Sequence, residues 1–211
     1  MRSLILLLLC VVAAPAMGQT WTVDPSTGYF HVILLKEGLL SSLGHDHIVD
    51  AGPARGTAVI ADSSSSVHLE LDAAAVEIEA DSSRREEGFT KHVEDGDRAK
   101  IREGMRGPKG LDVKRYPAIK FDSTSIEKVA GLPHIWEVTG VFSLHGSTGT
   151  LEFPVVLTER PGGYWAYGYV RIRPSEYGMK PISVLGGLIR VQDEALVKFN
   201  LALRPSGSIG Q

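Results

Sequence analysis

The residues with most chemical potential lie in the stretch SSLGHDHIVDAG, Ser41 to Gly52. His45 and His47 are two positions apart, and in an extended chain side chains at i and i+2 share a face. Two adjacent imidazoles can ligate a divalent metal, exchange protons, hydrogen-bond a ligand head group, or cap a polar edge. A further histidine, His145, stands far along the chain. Two histidines on a strand plus a distant third make a zinc site with the fourth position open to water. A metal-dependent hydrolase using His45, His47 and His145 is therefore one reading. Other catalytic chemistry has little to build on. The chain shows no Gly-x-Ser-x-Gly elbow and no phosphate-cradling glycine loop. Its one cysteine is Cys10. Glu77 and Glu79 read as exposed edge positions, and Arg84–Glu87 as a solvated loop. No catalytic residue, resident metal or cofactor is assigned on this reading.

The ends of the chain set the compartment. Arg2 precedes an apolar run from Leu4 to Ala14, too short to span a bilayer as a helix, and small residues follow in AAPAMG. This is the layout of a secretory signal peptide. Ala16 and Gly18 fit the −3 and −1 positions, so residues 1–18 are expected to be removed, with cleavage after Ala16 the alternative, and residues 19–211 to form a single domain. The expected location is the periplasm or the exterior. The mature chain then holds no cysteine, hence no disulfide and no thiolate chemistry. Without Arg2 it carries 21 basic against 25 acidic side chains, a formal charge of −4, which gives no footprint for nucleic acid.

Most of the remaining sequence alternates with period two. In SVHLELD, Val67, Leu69 and Leu71 fall on one face. Ile119 and Phe121 share a face, as do Val197, Phe199, Leu201 and Leu203. Turn-rich stretches such as AGLPH, HGSTG and RPGG separate the runs. Short alternating strands with regular turns predict an antiparallel β fold. One segment departs from it: Asp95 or Asp97 can cap a helix, Ile101 and Met105 stand at i,i+4, and Gly107-Pro108 is a stop. The expected architecture is mainly β: one helical insertion at about 96–106 in a series of eight strands fits an antiparallel barrel with a lid or plug better than a sandwich. Such a barrel is either filled by side chains or holds one slender ligand. Parity nominates Phe121, Phe142, Leu144, Phe153, Ile172, Val197 and Phe199 as lumen residues. Trp165, Tyr167 and Tyr169 form an aromatic stripe read as wall packing.

Four segments in order resemble the YceI-like family of bacterial periplasmic polyisoprenoid-binding proteins. They are WTVDPSTGYFHV, LDVKRYPAIKFDST, VTGVFSLHGSTGTLEFPVVL and VRIRPSEYGM. The likeness covers nearly the whole mature chain, although Ser147–Leu151 replaces the usual Val-Thr-Lys/Arg-Pro-Val of the hairpin. The resemblance implies a lipocalin-like barrel with a long apolar lumen. It implies binding of an isoprenoid lipid, a polyprenyl lipid or an isoprenoid quinone tail, as a carrier or store and not as an enzyme. The partners it implies are that lipid and an inner-membrane or quinone-linked protein, with a homodimer left open.

In such a barrel, His45 and His47 are expected at the rim, where the second strand begins, with Gly44 supplying the freedom to turn. They are expected to contact a ligand head group at most through one ring. Alternation then directs Ile48 to the lumen and keeps the imidazoles out of a dry tube.

Overall fold

The computed structural model describes residues 18–61 and 64–207. The leader expected over residues 1–18 lies outside them apart from Gly18. The alternating segments form strands β1 (Gln19–Glu37), β2 (His47–Asp50), β3 (Ala54–Ile60), β4 (Ser66–Asp72), β5 (Glu77–Ile78), β6 (Ala118–Lys128), β7 (Ile135–Leu144), β8 (Ser147–Arg160), β9 (Gly163–Ile172), β10 (Ser183–Val184) and β11 (Ile189–Pro205). Two helices, α1 (Asp81–Glu86) and α2 (Asp95–Arg106), interrupt them.

Eight strands close into an antiparallel barrel in the order β1-β3-β4-β6-β7-β8-β9-β11, with β11 pairing back onto β1. Closure removes the unpaired edges that an open sheet would expose. The long strand β1 has two neighbours on the same side. Its start pairs with β3 through Gln19–Thr22, and its end pairs with β2 through His31–Leu34. The short β5 continues this side by pairing with β2.

Local chemistry explains the irregularities. The β1–β11 register breaks between Val23 and Gly28. There the Ser26 backbone N–H donates to Asp24 Oδ1 at 3.0 Å, and Pro25 has no N–H for a ladder to lose. The bulge lets one strand serve both ends of the barrel.

Inside, Val67, Leu69 and Leu71 of β4 face the lumen together with Ile119 and Phe121 of β6 and Val197, Phe199, Leu201 and Leu203 of β11. Two glycines make room for the large rings. A Cβ on Gly140 would meet the Phe121 ring at 2.4 Å, and one on Gly168 the Phe199 ring at 2.9 Å. Both rings therefore lie over bare backbone.

Two buried clusters hold the ends. Trp21, Val23, Ala58 and Leu203 belong to the one beside the β3–β4 turn. Val49, Val76, Ile78, Met105, Leu111, Leu144, Ile172 and Tyr177 form the other. The second is built around α2, which buries Met105 and packs Ile101 against the same cluster. Asp95 and Asp97 lie in its first turn, where they favour the helix dipole, while the N-cap position is Glu94 and makes no side-chain cap bond. Neither aspartate is thus the expected cap. Arg106 in the last turn donates to the Val76 carbonyl at 3.0 Å and ties the helix to the barrel.

A single helix was expected, and α1 is the second. It forms where Arg84–Glu87 reads as a solvated loop, because Arg84 has a buried partner that the local sequence does not reveal.

An apolar lumen and a polar rim

The lumen is a cavity of about 270 Å³ with an almost wholly apolar lining. Phe121, Phe142, Leu144, Phe153, Ile172, Val197 and Phe199 all lie on it. Four phenylalanines make a band across it. Ring centroids are 5.5 Å apart for Phe121–Phe153, and 5.9 Å for both Phe153–Phe199 and Phe30–Phe199. Phe30 was not foreseen, because the β1 bulge hides the parity of that strand. Met105, Leu111 and Met179 also line the cavity. They come from the plugging segments, where no strand alternation exists to be read. The stripe of Trp165, Tyr167 and Tyr169 alternates with lumen-lining Ala166 and Val170 and so faces outward. Arg160 lies over Trp165 and Arg171 over Tyr169.

At the plugged end, the GHDH stretch builds a polar rim. Asp46 is held by β1: the Lys36 backbone N–H and ammonium donate to its carboxylate at 2.9 and 3.1 Å. Burial would raise the Asp46 carboxyl, yet the Lys36 bonds hold it below the ordinary range. His45 and His47, on either side, turn toward each other with ring centroids 4.5 Å apart. Between them and α1 stands Glu79, fully buried. His47 Nδ1 is 2.5 Å from Glu79 Oε1, and His45 Nε2 is 3.8 Å from the same oxygen. Glu79 Oε2 accepts from Arg84 Nη1, and Arg84 also donates to the carbonyls of Asp46 and Lys91.

The electrostatics follow from these contacts. Burial pushes the Glu79 carboxyl up, but the bonds and charges of His47 and Arg84 outweigh it and hold Glu79 below the usual range. Burial first, and then the neighbouring His47, lower His45, so its imidazole favours the neutral form. His45 Nε2 is buried without a hydrogen-bond partner.

Several expectations are corrected here. Glu79 is not an exposed edge residue, and Arg84 is 3% exposed, not solvated. Ile48 does not line the lumen; its neighbour Val49 does. His47 pairs with lumen-lining Leu34 and has the parity of Val49. Glu79 is what permits this, since it gives the inward imidazole a partner. Ile48 stays buried because α1 covers the outer face of β1 and β2. On that face Ser83 Oγ donates to Asp50 Oδ2 at 2.8 Å, while His31 meets Asp50 at 3.3 Å and Glu87 at 3.1 Å. Gly44 has φ −84°, open to any residue, so it supplies no special turn freedom.

His145 does not join His45 and His47. The three groups within 4.8 Å of one another, among the described residues, are His45, His47 and Glu79. His145 sits in the β7–β8 turn, where its Nδ1 lies 3.2 Å from the Tyr177 carbonyl and its ring 4.7 Å from Tyr116. A Cβ on Gly146 would strike the Tyr116 ring at 2.3 Å. The KRYP, LHG and SEYG segments thus meet at one corner, and their shared pattern serves packing. The hydrolase reading loses its third histidine.

The fold and site define a closed antiparallel β-barrel with an apolar internal cavity, a lipocalin-like architecture. The chain belongs to the YceI-like domain family, whose model matches residues 21–203. Its structure resembles that of BcnA from Burkholderia cenocepacia, with a TM-score of 0.63 at 16% identity over 85% of this chain and 98% of that one. It also resembles the YceI protein of Campylobacter jejuni, with a TM-score of 0.50 at 10% identity over 73% of this chain and 83% of that one. A mutant of the same protein gives 0.52 at 11% identity over the same shares. At such identities the likeness concerns the fold. No curated protein matches the chain.

Proposed function

We propose that the protein is an exported carrier or store that holds an isoprenoid lipid, a polyprenyl lipid or quinone tail, in its barrel lumen. The observation that carries this reading is the cavity itself. Eight strands suffice to fill a barrel with side chains, yet here an apolar space of about 270 Å³ remains, running between two buried end clusters. Each tail CH₂ moved from water to such a wall contributes about 0.8 kcal/mol before ordering costs. Affinity for a long tail therefore needs no polar contact, and polar groups serve only near a head group. The expected ligand contacts are the band of Phe121, Phe153 and Phe199, with Phe142, Leu144, Ile172 and Val197 toward the plugged end. His45 and His47 are the rim groups nearest a head group at that end.

The leader-like segment over residues 1–18 supports export to the periplasm or beyond. Cleavage after Gly18 leaves one barrel domain. A docking partner in the inner membrane is supported by exposed leucines at the rim. Leu39 is 89% and Leu43 66% exposed, and the Leu40 N–H donates to the Leu188 carbonyl, which joins the two loops. The test is mass spectrometry of an organic extract from gently purified protein. One isoprenoid species per barrel is the expected result. Protein that yields no lipid and takes up neither a polyprenol nor a quinone overturns the reading.

A further inference from the structure

The rim holds more donor atoms than a carrier needs. Two chain segments, the one that enters β2 and the one that follows β5, bring two imidazoles and one carboxylate to the same point. The ligating atoms, His45 Nε2, His47 Nδ1 and a Glu79 carboxylate oxygen, lie within 4.8 Å of one another. His45 Nε2 is aimed at Glu79 Oε1 from 3.8 Å, beyond hydrogen-bond reach, and this buried nitrogen has no other partner. A buried polar atom left unsatisfied destabilises the fold. A group that bridged His45 to Glu79 would remove that cost.

The surroundings are arranged to hold these atoms. Arg84 bonds Glu79 Oε2, which leaves Oε1 turned toward the imidazoles. The same guanidinium holds the Asp46 carbonyl, and Lys36 holds the Asp46 carboxylate, so the residue between the two histidines is fixed at both ends. Metal centres use such outer partners to fix the orientation of their ligands.

We propose that His45, His47 and Glu79 bind one divalent transition-metal ion, zinc by the nature of the donors, at the plugged end of the barrel. Two imidazole nitrogens and a carboxylate oxygen suit zinc, with protein ligands at about 2.0–2.2 Å from the ion. Atoms at that range from a shared ion stand roughly 3–3.5 Å apart in a tetrahedral site, and small side-chain rotations bring the three atoms there. The ion takes the place of the proton between His47 Nδ1 and Glu79 Oε1, and that proton leaves to water. A fourth position is left for water or a ligand oxygen. His45 and His47 side chains are 22% and 19% exposed, so the ion has a path in from solvent.

Spacing singles out His45 and His47, with the distant His145 as the expected third ligand, and the geometry puts Glu79 in its place. The proposal is independent of what fills the lumen.

The experiment uses the purified protein, stripped with chelator and then desalted after incubation with zinc(II) or cobalt(II). Elemental analysis should give one ion per chain, and cobalt should show the visible absorption of a low-coordinate site with nitrogen and oxygen donors. His45→Ala, whose ring lies at the rim, should remain folded and lose the cobalt band and the bound equivalent. Glu79→Gln should do the same wherever circular dichroism shows it folded. His68→Ala, on the exposed β4 surface, should bind as the parent does. A parent protein that retains no metal overturns the proposal. So does a folded His45→Ala protein that binds as tightly as the parent, because the ion is then held elsewhere.

Discussion

The lumen and the rim lie a few residues apart along β1 and β2, yet they are held by opposite physics. In the lumen, Val32, Leu34 and Val49 offer only area, and a neighbour can be exchanged for another of similar size at small cost. At the rim, Glu79 is 0% exposed, paired with Arg84 and in hydrogen-bond contact with His47. Neither Arg84 nor His47 can be removed without leaving the Glu79 carboxylate short of a partner. The lumen is accordingly suited to accept a variable hydrocarbon, and the rim to fix one arrangement of donors.

The difference is broken most severely at Arg84. Arg84→Met leaves the Glu79 carboxylate buried with one cation partner lost. Stability is expected to fall by about 3–5 kcal/mol, read as a lower urea midpoint. A loss under about 1 kcal/mol would mean that the rim is not the charge-paired unit described here.

A smaller effect belongs to the lumen wall. In Gly140→Ala the new methyl meets the Phe121 ring at 2.4 Å and drives it into the cavity. Overpacking of this kind costs about 1–3 kcal/mol. Tail uptake should fall along with stability. Unchanged uptake would place the tail away from the phenylalanine band.

The smallest effect is set by pH at the outer clasp. Glu87 is pushed up by burial, but Lys198 and His31 bonds together hold it below the ordinary carboxylate range. Lys198 Nζ is 2.7 Å from Glu87 Oε2. A carboxyl depressed in the folded state adds stability that is present above its unfolded pKa, about 4.3. That stability is lost as the pH falls through the folded value. The gap in urea midpoint between the parent and Glu87→Gln should therefore be open at pH 6 and shrink on acidification. A gap that widens in acid would reverse the assigned sign.

The two regions also differ in how much of them could be read from sequence. Lumen parity is local: Val197 and Phe199 share a face whatever surrounds them, so seven lining residues followed from alternation. The antiparallel strands and the α2 helix followed from similar local signals, turns at even spacing and Ile101 with Met105 at i,i+4, whereas closure into a barrel was implied by the family resemblance and not by any local pattern. The rim was legible only in part. His45 and His47 announce themselves by spacing, but Glu79 follows a two-residue strand, with φ 58°, and Arg84 lies in a six-residue helix. Neither carries a pattern that distinguishes it from a solvated charge. Their pairing depends on β5 folding onto β2, a contact no short window encodes. The orientation of Ile48 failed for the same reason, since the buried Glu79 gives an inward His47 its partner and α1 covers Ile48 on the other face.

The central claim is that the open lumen is the binding site for the tail. Its most direct measurement is native mass spectrometry of a polyprenol titrated into the parent protein and into Val197→Trp. Val197 lines the cavity two residues from Phe199 of the phenylalanine band, and an indole there would occupy the space the tail needs. The account predicts one polyprenol per parent chain and uptake reduced at least about tenfold in a folded Val197→Trp protein, a difference of roughly 1.4 kcal/mol. Equal uptake by the two would contradict it and place the lipid outside the barrel.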